Sequence, residues 1–86
     1  MTGTPAARQW SEAGETHIDV RGLAPPDPLV AILRLLRTLG DEAPVTVHLD
    51  RDPVMLYPEL AQIGWEAERV EGEPDEVRLR LRRSAS

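Results

Sequence analysis

With 86 residues, no cysteine and a formal net charge of −5, the chain has room for one small domain and excludes disulfides, thiol chemistry and zinc–thiolate sites. The acidic balance argues against a general nucleic-acid binder. No apolar run approaches the ~18 residues of a membrane-spanning helix and the N-terminus lacks the apolar segment of a signal peptide, so no membrane partner and a cytoplasmic location are expected.

Residues 1–15 are rich in Thr, Gly, Ala, Ser and Glu without periodicity and read as a flexible N-terminal tail. Trp10 stands out in it, as a loosely docked aromatic in the plainer reading or as a partner anchor in the sharper one. The first strand is expected over Thr16–Val20, where Ile18 and Val20 alternate with His17 and Asp19. Gly22 ends it. Pro25 and Pro26 hold the chain extended, Asp27 serves as an N-cap and Pro28 takes the first helical position. The helix runs over Asp27–Leu39, with Leu29, Ile32, Leu33, Leu35, Leu36 and Leu39 on one arc and Arg34, Arg37, Thr38 and Ala31 facing away. Gly40 follows as its stop.

Val45, Val47 and Leu49 alternate with Thr46, His48 and Asp50 as the second strand, entered through Pro44. Asp52 and Pro53 repeat the cap and first-turn pair. The second helix is expected to kink, or to begin with a short turn, before Pro58, and Gly64 stops it. Trp65–Glu71 reads as the third strand. Gly72-Glu73-Pro74-Asp75 supplies a turn, and Val77–Arg82 is the fourth strand, with Val77, Leu79 and Leu81 alternating with Arg78, Arg80 and Arg82. Residues 16–82 form the domain, a two-layer α/β sandwich of order βαβαββ, and residues 83–86 a fraying C-terminal tail.

The run Asp19-x-x-Gly22-Leu23-x-Pro25-Pro26-Asp27-Pro28 resembles the Asp-x-x-Gly-x-x-Cys-Pro-x-Pro signature of the TusA/SirA-like sulfur-carrier proteins. Gly22, Pro26 and Pro28 match, Asp27 fills the variable position, and Pro25 stands where those proteins carry their persulfide cysteine. The chain is most similar to a cysteine-less TusA-like branch, a domain of unknown function. Arg51-Asp52-Pro53, followed by Leu56-Tyr57-Pro58, looks like that branch too. The resemblance spans roughly residues 18–82. It implies a mixed four-stranded sheet in the order 1-2-4-3 with both helices on one face. Without a cysteine no sulfurtransferase activity is expected, and without a cofactor fingerprint no cofactor. Neighbours of that branch, hemerythrin-like and nitrogen-oxide metabolism proteins, add an accessory role in redox or respiratory metabolism.

On that architecture one sheet face lacks helices. It should present His17, Asp19, Thr46, His48, Glu66, Glu68, Arg78, Arg80 and Arg82, with Asp50 at the end of the second strand as a further candidate. A solvated face with Arg and Glu paired across strands is the plainer reading; a docking surface for an acidic partner or a second copy is the functional one. His17, Asp19 and His48 are weak candidates for a divalent metal, since they lack short ligand spacing, so surface residues are the preferred reading. Asp27 and Asp52 read as structural caps. Ser11, Ser84 and Ser86 fall in the tails, and no nucleophile set, phosphate loop or paired-carboxylate motif is present, so no catalytic residue is assigned. The expected function is a non-enzymatic accessory module that binds a protein partner or self-associates. The alternative is a metal- or small-ligand-binding module on the open face.

Overall fold

The computed structural model describes residues 7–24, 26–39 and 44–84. The elements are β1 (Arg8–Glu12), β2 (Glu15–Asp19), α1 (Asp27–Leu39), β3 (Val45–Leu49), α2 (Leu56–Gln62), β4 (Trp65–Val70) and β5 (Val77–Arg83). They form one five-stranded sheet in the order β1-β2-β3-β5-β4. Only β2 and β3 run parallel; every other neighbouring pair is antiparallel. The last four strands therefore have the order 1-2-4-3 that the resemblance implies, and the α/β sandwich holds.

The sheet has one strand more than expected. Residues 8–12, read as tail, pair with β2 in the register Glu12↔Glu15 through Arg8↔Asp19. A two-residue turn joins them, with Ala13 and Gly14 both at positive φ, 55° and 77°. This conformation matches the twist of a tight hairpin. The stretch escapes sequence reading because four of its five side chains are exposed and only Trp10 is half-buried. Its stability comes from the ladder and from what Trp10 covers, neither of which is periodic in the sequence.

The core lies between the helices and one sheet face. Ile18, Val45, Val47, Leu49, Val77, Leu79 and Leu81 of the sheet join Ile32, Leu35 and Leu36 of α1, Leu56 and Leu60 of α2, and Trp65 in a single cluster. Each fully buried Leu or Ile contributes about 1.5–3 kcal/mol. Both helices thus cover the same face. Val30 is exposed and Ala31, expected to face outward, is half-buried.

Both helix starts differ from the expectation. The first i→i−4 bond of α1 runs from the Val30 N–H to the Pro26 carbonyl at 3.0 Å, so Pro26 holds the cap position and Asp27 is already helical. Helix α2 begins at Leu56 rather than Pro53. Its cap residue is Met55, without a side-chain cap bond, and Val54–Met55 form the short opening turn. Pro58 consequently falls in the first turn, where no helical N–H is lost. Strand β2 is shifted by one residue, although the Val20 N–H still reaches the His48 carbonyl at 3.0 Å. Strand β4 ends at Val70. Arg83 belongs to β5, and the Ser84 N–H donates to the Gly64 carbonyl at 2.8 Å, so the tail begins later than expected. The expectations for Pro25 and Gly40 lie outside the described residues. Among the described residues, no helix is long and apolar enough to cross a membrane.

Candidate functional site

Parallel strands β2 and β3 deliver the chain to the same edge of the sheet, where α1 and α2 begin. The loops that follow them face each other. Gly22, at φ 86°, turns the first loop sharply, and its N–H donates to Asp50 Oδ2 in the second at 3.1 Å. Between the loops opens a crevice of about 350 Å³, lined among others by Val20, Leu29, Ile32, Leu49 and Leu56. Pro26, Pro28 and Pro53 also line it, with Asp50, Arg51 and Asp52 at its rim. The motif positions of both loops, 25 residues apart in sequence, thus converge on one apolar hollow. Rim residues Val54 and Met55 are 62% and 70% exposed.

The second loop is braced by Tyr57, whose O–H donates to Asp52 Oδ1 at 2.6 Å. Burial, together with that bond and the aspartate charge, pushes the Tyr57 phenol up to about 12, because ionisation would set two anions side by side. Asp52 therefore serves the α2 loop as an acceptor for Tyr57, not as a backbone cap. Apolar walls with a few fixed polar groups at the mouth are the usual makings of a ligand pocket.

The opposite face carries a polar network. Register places Trp10 beside His17 and His17 beside Thr46. It also places Asp19 beside His48, and His48 beside Arg78. Central strand β3 is buried along its whole length, Thr46 and His48 included, so this part of the face is covered by its own side chains rather than solvated. His17 Nδ1 and His48 Nε2 are 3.1 Å apart, and His48 Nδ1 lies 2.8 Å from Glu76 Oε2. A carboxylate only accepts, so His48 Nδ1 carries the proton toward Glu76; with both rings neutral, His17 Nδ1–H then donates to His48 Nε2. The ring centroids are 5.3 Å apart, close to the N···N gap plus two ring radii, so the imidazoles meet edge to edge. The Trp10 indole lies across both, with centroids at 5.2 and 5.4 Å and planes inclined by 14° and 25°, an offset-stacked arrangement.

Glu76 anchors this network. Its side chain is only 2% exposed, accepts from Arg78 Nε at 2.7 Å and lies 3.5 Å from Arg21 Nη1. Burial pushes its carboxyl up, but the bonds from Arg78 and His48 and their charges outweigh this and hold it below the usual carboxylate range. Asp19 is also held low, chiefly by the Arg21 bond and against its own burial. Arg21 embraces it through Nε at 3.0 Å and Nη2 at 2.9 Å. Both arginines are raised by these carboxylates.

The structure therefore joins His17 to His48 but turns Asp19 away to Arg21. The facing nitrogens, His17 Nδ1 and His48 Nε2, are spent on each other instead of converging on a third point. Among the described residues no group of three His, Cys, Asp or Glu side chains could hold a metal ion. Arg78 pairs with Glu76, Arg80 with Glu15 at 3.3 Å and Arg82 with Glu66 at 3.0 Å. Glu68 stands opposite Arg80 in the ladder. Thr46 Oγ1–H donates to Glu15 Oε2 at 2.8 Å. Glu15, Glu76 and the placement of Trp10 are the features that sequence reading missed. Glu76 carried one faint signal: it sits two before Arg78 in the alternation, on the same face.

Residues 17–83 match the model of a family described as an uncharacterized conserved protein, DUF2249. The matched stretch takes in most of β2 and everything to the end of β5, and the chain belongs to that family. No curated protein matches the chain.

Proposed function

We propose that this DUF2249 member is a non-enzymatic binding module whose working site is the crevice where α1 and α2 begin. The crevice carries the reading: an apolar hollow of about 350 Å³ with Val54 and Met55 exposed on its rim. Such a hollow accepts an apolar ligand, free or displayed by a partner protein. The pairing of Arg78, Arg80 and Arg82 with acids of the chain favours the crevice over the open face, since their charge is largely spent internally. The strand order β2-β3-β5-β4 and the absence of cysteine support a TusA-like scaffold freed from sulfur transfer. The accessory role in redox or respiratory metabolism rests on that resemblance alone.

The test is a fluorescence titration with Nile red, a neutral apolar dye. Saturable binding is expected for the natural sequence and for an Arg78→Glu, Arg80→Glu, Arg82→Glu variant. It should weaken at least fivefold in Leu29→Trp, which narrows the crevice, and in Val54→Glu, which charges its rim. Binding lost only in the arginine variant would move the site to the open face, and no saturable binding in any protein would end the proposal.

A further inference from the structure

The hairpin strand β1 is fastened in an unusual way. It pairs with β2 alone, and of its five side chains only Trp10 is not exposed. Trp10 reaches past its ladder partner His17 to His48 on β3. Beyond the ladder, the strand's grip on the body thus rests largely on one indole laid over two hydrogen-bonded imidazoles. A two-stranded ribbon without such packing is marginal in water.

The imidazole pair can hold that platform in two proton states and not in a third. With both rings neutral, His17 Nδ1–H donates to His48 Nε2. With one added proton the same 3.1 Å contact becomes a charge-assisted bond, with Glu76 accepting from His48 on the far side and the indole face stacked on a cation. With two added protons both facing nitrogens are donors. The bond is lost, and two like charges stand 5.3 Å apart, centroid to centroid.

The surroundings do not cancel that repulsion. On this face Arg8 and Glu12 come from β1, Glu15 and Asp19 from β2, and Arg21 from the loop beyond it. Glu76, Arg78 and Arg80 come from β5 and its approach. Among these groups arginines match carboxylates in number, and Glu66, Glu68 and Arg82 of the same face lie on β4 or at the distal end of β5. Asp19, Glu15 and Glu76 are each already beside an arginine, which leaves no surplus negative charge for a second imidazolium. Helices α1 and α2 lie on the other face.

We infer that His17 and His48 beneath Trp10 form an acid-sensitive clasp that holds strand β1 on the sheet and releases it when both rings are protonated. Release leaves the backbone of β2 as a new sheet edge, a surface able to pair with another strand.

The test follows backbone amide exchange from pH 8 to pH 5, the interval in which histidine side chains change charge, with rates corrected for their intrinsic pH dependence. Protection of the β1 amides, Arg8–Glu12, should fall at least tenfold across this interval while that of Val47 and Leu79 holds. In His17→Gln, which leaves one imidazole, β1 should change less than twofold. In Glu76→Gln, which removes the counter-charge to a His48 imidazolium and so disfavours protonation of the pair, release should move to lower pH. Unchanged β1 protection at pH 5, or the same fall in His17→Gln as in the natural sequence, would overturn the inference. Retained protection of Val47 and Leu79 in each variant shows that the domain remains folded.

Discussion

Replacing Glu76 with alanine should cost this small domain a large share of its stability, and the geometry sets the size of the loss. The carboxylate accepts from His48 Nδ1 at 2.8 Å and from Arg78 Nε at 2.7 Å, and it lies 3.5 Å from Arg21. Without it, the His48 Nδ1–H has no acceptor in a side chain only 9% exposed, a loss of about 1–3 kcal/mol. Arg78 and Arg21 are 29% and 41% exposed and regain water, so their lost pairing adds only ~1 kcal/mol. The sum of about 2–4 kcal/mol corresponds to a fall in Tm of roughly 10–25 °C for a domain of this size. Thermal melting followed by far-ultraviolet circular dichroism at pH 7 measures it. The control is Glu66→Ala, which breaks a pair 55% and 49% exposed and should cost less than ~1 kcal/mol. Glu76→Gln keeps one acceptor and should fall between them. The acid dependence carries a sign. The Glu76 carboxyl is held below its ordinary range, so its stabilisation is complete above the unfolded-state value and fades as pH falls through the folded-state value. The gap between the natural protein and Glu76→Ala must therefore narrow in strong acid. A Glu76→Ala melt within 2 °C of the Glu66→Ala melt (about 0.5 kcal/mol) would refute the view of Glu76 as the anchor of the network.

The Tyr57 phenol, pushed up to about 12 by burial and by Asp52, should ionise well above an ordinary tyrosine in an ultraviolet phenolate titration; Asp52→Asn should bring that transition down, and an unmoved transition would mean that the 2.6 Å bond does not brace the loop. Gly14→Val puts a β-branched residue at φ 77° and should cost about 1–2 kcal/mol. The loss should appear as reduced exchange protection in β1 while the Val47 amide stays protected.

What the sequence determined by itself was the body of the fold. The strict alternation of Val45, Val47 and Leu49 and of Val77, Leu79 and Leu81, and the leucine arc of α1, each bury one side of a regular element. Such periodicity is local, so it can be read without knowing the neighbours. It also put His17, His48, Arg78, Arg80 and Arg82 on one sheet face, as the register places them. The rest depended on contacts between segments distant in the chain. Strand β1 has no apolar period and exists because β2 offers it a ladder and the two imidazoles offer Trp10 a platform. Asp52 looked like a cap because it precedes Pro53, but Tyr57, five residues on, competes successfully for its carboxylate. Glu76 becomes the centre of a network because chain segments 28 and 55 residues away bring His48 and Arg21 to it. The crevice likewise belongs to two loops that meet only when β2 and β3 lie parallel. Partnerships of this kind depend on which side chains end up within polar contact of one another, and that is a property of the assembled chain rather than of any stretch of it.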